Sequence, residues 1–272
     1  MINKTISIYV FFDDLLKSIN HQEPASRRTT DAEIITVMLI AAQYFSGNIE
    51  NSINFVKSTG LMPNMLSKSR FNRRMHSVAD TFSFLFFHVG RSIKELNTES
   101  LYVIDSFPVA VCDNIRISRS KIVKGEQYRG YNASKRRYIY GFKIHVVITE
   151  KGIPVEYSFT AASAHDIEGL KQMPLAFAKE STLFDDRAYT DYEMEDMMAD
   201  DGIKLLTARK KNAKRKHEQW VEYIISHYRK RVETSFSDIK KCFPAAIHAV
   251  TDKGFIIKLI TFIFAYTLNF FK

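Results

Sequence analysis

Apolar residues recur at helical spacing through the first third of the chain. Thr30 and Glu33 stand three apart ahead of the apolar run Ile34 to Phe45. This is the arrangement of a capping box, in which each side chain satisfies a backbone N–H that the first turn of a helix leaves unpaired. Gly47 and Gly60 bracket a second helix carrying Ile49, Ile53 and Val56. The stretch SKSRFNRRMHSV predicts a third helix, with Arg70, Arg73 and Arg74 near one face, and TFSFLFFHVGRSIKEL predicts another. A polar break at Asn97 to Ser100 follows. Residues 1–97 are therefore expected to form an all-helical domain, and residues 98–272 a second domain.

From Leu101 the periodicity changes. LYVI is apolar on both faces, as in a central strand, and Pro108 is expected to limit its length. YIYGFKIHVVIT alternates, and Glu150, Lys151 and Gly152 turn it into VEYSFTA. A helix is predicted from His165 to Ala178, then strand TLFD, helix YEMEDMMAD, strand IKLLTA and a long helix from Trp220. Three strands in meander followed by alternating helix and strand is the order of a ribonuclease H-like fold. The expected class is α/β: a mixed sheet with flanking helices, preceded by an all-α domain. Between the first two strands, Cys112 to Arg137 shows no apolar periodicity and many bases, and long loops of this kind are often functional.

Charge sharpens that picture. The chain of 272 residues is 46% hydrophobic, enough for one sizeable core, and carries a net charge of +9 with a pI near 9.4. The excess is local. Residues 112–143 hold nine Lys and Arg against Asp113 and Glu126, residues 203–220 hold seven against Glu218, and the remainder is net acidic. Two basic segments of this kind suit a phosphate backbone, and Arg136, Arg137, Lys210 and Lys211 are candidate contacts. The helix from Asn48 to Thr59 and the basic one after it resemble a helix-turn-helix with a lengthened connection, which leaves DNA binding by Arg70, Arg73 and Arg74 and a plain helical bundle both open.

Two cysteines, Cys112 and Cys242, form no CxxC, so neither a disulfide framework nor a zinc site is signalled, and a cytoplasmic setting is expected. The start of the chain lacks the cleavage pattern of a signal peptide. Near the C-terminus the uninterrupted apolar stretch runs only from Leu259 to Phe271, short of the ~20 residues of a membrane span. A buried helix, and no membrane partner, are expected.

Three acids stand out against this frame. Asp105 interrupts an apolar strand, where an isolated carboxylate is costly unless paired or metal-bound. Asp186 ends TLFDD, and because strand side chains alternate, only one of Asp185 and Asp186 can face a common site; Asp186 is the favoured one. On the long helix, Ile225, Tyr228, Val232, Phe236 and Ile239 form the buried stripe, and Arg229, Glu233 and Lys240 fall together beside it. If Asp105, Asp186 and Glu233 converge to ~5 Å, each pair repels by about 3 kcal/mol at an effective dielectric of ~20. Either their pKa values rise or a cation neutralises them. Oxygen ligands suit Mg²⁺ or Mn²⁺, and two such ions would activate a nucleophile and stabilise the leaving oxygen of a phosphodiester, with Arg229 and Lys240 on phosphate oxygens.

The motifs VIDSFPVAVCDNIRI, YRGYNASKRRYIYGFKIHVVITEKGIPVEY, SAHD, LFDDRAY, RVETSFSDIK and AIHAVTDKGF, in that order, resemble the DDE transposases of bacterial insertion sequences, most closely insertion-sequence family nine-eighty-two. The resemblance implies that Asp105, Asp186 and Glu233 are the catalytic triad. It also implies double-stranded DNA partners, namely terminal inverted repeats and target DNA, and a homodimer acting on paired ends. Arg229, Glu233 and Lys240 match a family signature whose Tyr position is Ser226 here, and Ala188 stands where a Gly is common. A nuclease or resolvase using the same acids, and an inactive DNA-binding relative, are the alternatives. Of the other candidates, His145, the His165–Asp166 pair and Trp220 each have an ordinary packing role open to them.

Overall fold

The computed structural model describes residues 1–112, 114–132 and 136–271. The chain divides into two compact units, residues 1–85 with 242–272, and residues 86–241.

The first unit is helical. It contains α1 (Ile2–Ser18), α2 (Asp31–Tyr44), α3 (Ile49–Ser58), α4 (Lys68–Ser77), the first part of α5 (Ala79–Glu95) and α9 (Asp252–Thr267). Thr30 and Glu33 close the expected capping box at the start of α2. Helix α2 is buried over eleven of its fourteen residues, because α1, α3 and α9 pack around it. The unit also takes in residues 242–272, which lie beyond the division expected at residue 97. The apolar stretch near the C-terminus has its packing surface among the N-terminal helices, with Phe264 against both Phe12 and Phe82. By length and composition Asp252–Phe270 could cross a membrane, yet most of it is buried inside this unit.

The second unit is built on a mixed six-stranded sheet: β1 (Leu101–Cys112), β2 (Arg129–Asn132), β3 (Arg137–Thr149), β4 (Pro154–Ala161), β5 (Thr182–Asp185) and β6 (Lys204–Thr207). β3 pairs antiparallel with β1, β2 and β4, while β1, β5 and β6 are mutually parallel neighbours. Helices α6 (Asp166–Lys171) and α7 (Tyr192–Asp200) lie between the strands in sequence, and α8 (Gln219–Cys242) follows them. This mixed sheet with flanking helices is a ribonuclease H-like fold.

The pleat sorts side chains between its two faces. Tyr102, Ile104, Val147, Leu183 and Leu205 share one core cluster with Leu170 and Met173, next to α6, and Met198 of α7. On the other face Phe184 stacks on Tyr228 of α8, with ring centroids 4.6 Å apart.

Three expectations are revised. β1 runs past Pro108 to Cys112, because β5 pairs with it only at Leu101–Val103; beyond that point its β5-side edge is open, and a residue without an N–H costs little there. Helix α6 ends at Lys171 rather than Ala178, since Pro174 cannot donate within a continuing helix. The segment from Cys112 to Arg137 is not a bare loop, for it supplies β2; residues 113 and 133–135 of it lie outside the described residues.

The second half of α5 is tied to β4. Lys94 Nζ lies 2.6 Å from Glu156 Oε1, both side chains buried, and Glu156 Oε2 accepts the Leu175 N–H at 3.1 Å. Removing one partner leaves a buried charge uncompensated. Lys94→Met is expected to destabilise this unit by about 3–5 kcal/mol, read by denaturant unfolding.

Candidate active site

Asp105 and Asp186 are placed by one register. The last paired residues of the parallel β1–β5 ladder are Val103 and Phe184, and each acid lies two residues further along its own strand. Two residues preserve the face, so both acids lie on the α8 side of the sheet, where β5 has ended and β1 continues. Clefts at the carboxyl ends of adjoining parallel strands are the usual ligand sites of open α/β sheets.

Asp105 is half-buried and accepts the Ser106 N–H at 2.8 Å. Burial pushes its carboxyl above the usual range, and neighbouring Asp186 adds to this; the Ser106 N–H, Lys240 and Arg229 pull it back. Asp186 accepts the Arg187 N–H at 2.6 Å through Oδ1, and its Oδ2 lies 3.2 Å from an Arg229 guanidinium nitrogen. Glu233, exposed and one turn beyond Arg229 on α8, lines with Asp186, Arg229, Lys210 and Lys230 a cavity of about 580 Å³. Lys240 Nζ sits 5.4 Å above the Phe107 ring, two residues from Asp105 on the same face of β1.

The three carboxylates do not close into a ligand cluster. Among the described residues, the one group of three His, Cys, Asp or Glu side chains with ligating atoms within 4.8 Å of one another is His21, Glu23 and Asp31 in the helical unit. There Asp31 is engaged by Arg74 at 2.6 Å and Arg27 at 3.2 Å, so cations already balance it. At the sheet, Arg229 holds Asp186 and bears electrostatically on Asp105, occupying the place in the charge balance that a metal would take. The donor set is all oxygen, as a hard cation requires, and two of its members, Asp186 and Glu233, line an open cavity.

Asp185 differs from its neighbour Asp186 in setting. It is fully buried on the opposite face, beside the bidentate Arg209–Glu195 ion pair. Burial raises its pKa far above the usual carboxylate value; the Thr207 hydroxyl and Arg209 offset this in part, although neither carboxyl oxygen completes a hydrogen bond.

The basic candidates separate. Arg70 and Arg73 are exposed on α4, as are Arg136, Arg137, Lys210, Lys211 and Lys240 in the sheet unit. Arg74 is not on that face: it turns inward, with Asp31 and the Thr29 carbonyl as partners, because α4 packs on α2. His145 is a core residue between the Tyr189 hydroxyl and Thr160 Oγ, both at 2.9 Å, and burial lowers its pKa to about 4. His165 is exposed at the start of α6 and makes no capping hydrogen bond, whereas Asp166 joins Lys143 at 2.9 Å and Ser106 Oγ at 3.0 Å, next to Asp105 in the chain. Trp220 is exposed, its indole N–H bound to Glu218. Sequence reasoning gave no functional role to Tyr131 or Tyr138, whose exposed rings meet edge-on across β2 and β3; the alternation along β3 was the available signal for Tyr138.

A family model for the transposase DDE domain matches residues 95–248, more than half of the chain. The chain belongs to that family. No curated protein and no solved structure matches it. The matched span contains Asp105, Asp186 and Glu233, and the DDE domain is a polynucleotidyl transferase that cleaves and transfers DNA in transposition, in a family that generally uses a divalent metal.

Because the folded state binds the Asp185 proton more tightly than the unfolded chain does, folding stability carried by this group is lost as pH rises from the unfolded carboxylate value of about 3.9 toward the raised folded one. Asp185→Asn removes that loss. Its thermal midpoint is expected to exceed that of the parent protein at neutral pH, with the difference shrinking as pH falls to about 4, in a melting series across pH.

Proposed function

We propose that this DDE domain cleaves DNA at the ends of a transposable element and joins the exposed 3′-hydroxyl to target DNA, with Asp105, Asp186 and Glu233 as the catalytic acids. The observation that carries the reading is the shared face and register of Asp105 and Asp186 at the open end of the β1–β5 pair, with Glu233 lining the same cavity as Asp186. The three carboxylates would hold Mg²⁺ or Mn²⁺, most simply two ions, which when bound supply a charge sink for the attacking and leaving oxygens.

The protein's own groups do the rest. Arg229, which pairs with Asp186, and Lys240, on the Phe107 side, would hold phosphate oxygens of the DNA. Ser106 orients Asp105 through its backbone N–H. Lys210, Lys211, Arg136 and Arg137 extend the positive surface available to the DNA backbone, and Arg70 and Arg73 offer a second one on α4. Terminal inverted repeats are the substrate, a homodimer holds the paired ends, and the setting is the bacterial cytoplasm. The likeness to insertion-sequence family nine-eighty-two supports these last assignments.

A supercoiled donor carrying the element's ends, with a target plasmid and Mg²⁺, tests the reading. Asp105→Asn, Asp186→Asn and Glu233→Gln are each expected to lower cleavage by at least about 100-fold, the equivalent of several kcal/mol of lost transition-state stabilisation. Chelation of the metal should abolish cleavage. Undiminished cleavage by any of the three proteins removes that residue from the site, and cleavage without joined product reduces the activity to that of a nuclease.

A further inference from the structure

A larger groove in the sheet unit, with a volume of about 860 Å³, shares Arg187, Ala188 and Lys210 with the cavity of Asp186 and Glu233. The two form one channel. At its far end stand Tyr131 and Tyr138, direct register partners on β2 and β3, 58% and 52% exposed, with ring centroids 5.1 Å apart. The Arg129 guanidinium lies 5.2 Å from the Tyr138 centroid.

These rings are not spare core. Ile139 and Tyr140 fill the interior at this end of β3, and the hairpin is held close to the loop after β4, where a Cβ on Gly130 would come within 2.2 Å of the Ala162 carbonyl oxygen. Two large rings are thus kept in water on a fixed platform. Between them and the acids the channel carries Arg187, Lys210 and Lys214, all exposed; its acid, Asp166, is paired with Lys143 at 2.9 Å. Cations spaced along a groove that ends in exposed aromatic faces are the chemistry of single-stranded nucleic acid binding, in which phosphates follow the charge and bases stack on the rings. Stacked duplex DNA offers no base face except at an end or at an unpaired nucleotide.

We propose that Tyr131 and Tyr138 stack an unpaired nucleotide of the DNA strand that occupies the acidic cavity, with Arg129 supporting the stack and Arg187 and Lys210 holding the phosphates between. The inference rests on the DNA-processing reading above and names the form of substrate that site takes: a strand end freed from its complement.

The test measures binding by the full-length protein in chelator, so that catalysis plays no part. Two fluorescent probes are compared, a blunt duplex and the same duplex with a short 3′ single-stranded overhang carrying 2-aminopurine. The overhang is expected to bind roughly tenfold more tightly or better, with quenching of the 2-aminopurine. Tyr131→Ala combined with Tyr138→Ala should bring the ratio of the two affinities to near one and remove the quenching, and the corresponding Phe pair should retain both. Equal affinity of the parent protein for the two probes, or a preserved ratio in the Ala pair, overturns the inference. Either result leaves the roles of Asp105, Asp186 and Glu233 to the cleavage assay, and a failure in that assay leaves this ratio unchanged.

Discussion

Three residue pairs of parallel ladder, Leu101–Val103 against Thr182–Phe184, determine where Asp105 and Asp186 lie. The ladder fixes both the face and the depth of whatever follows it. A one-residue slip of β5 would send Asp186 into the interior and bring Asp185 to the α8 side, since strand side chains alternate. The slip is opposed by packing on both faces, Leu183 in the central core and Phe184 on Tyr228. A hydrophobic register thus positions two acidic side chains.

The same geometry places like charges side by side, and the protein balances them from the helix. α8 lays Tyr228, Arg229 and Lys240 along the sheet, so that the residue anchoring the helix on Phe184 is adjacent to the one that neutralises Asp186. The Arg229–Asp186 ion pair is moderately exposed, so solvent screens it and it contributes little to stability. On the other face burial raises the Asp185 pKa well above the usual carboxylate value, and Arg209, which is paired with Glu195, offsets this only in part. Adjacent carboxyl groups therefore have different surroundings, Asp186 beside Arg229 and Asp185 in the interior.

Much of this was legible in the order of residues. Parity required that Asp185 and Asp186 face opposite ways, the spacing of Thr30 and Glu33 located the start of α2, and the patterns of TLFD and YEMEDMMAD gave the limits of β5 and α7. What escaped depends on distant partners. Pro108 was read as a strand end because the sequence does not say that β5 stops pairing at Val103. Arg74 shares a helical face with exposed bases, and only the packing of α4 on α2 brings it to Asp31. The C-terminal apolar helix could have covered any core; its partners lie more than two hundred residues earlier. Tyr131 was hidden in a segment without periodicity, since a four-residue strand is too short to show one.

The return of α9 to the N-terminal helices also orders the birth of the molecule. As the chain leaves the ribosome, α2 must wait with one apolar side uncovered while the whole of the sheet unit is synthesised, because the helix that covers it is made after residue 250. The sheet unit is uninterrupted in sequence and can close as soon as α8 has emerged. The part of the protein with the acids therefore matures before the part that begins the chain.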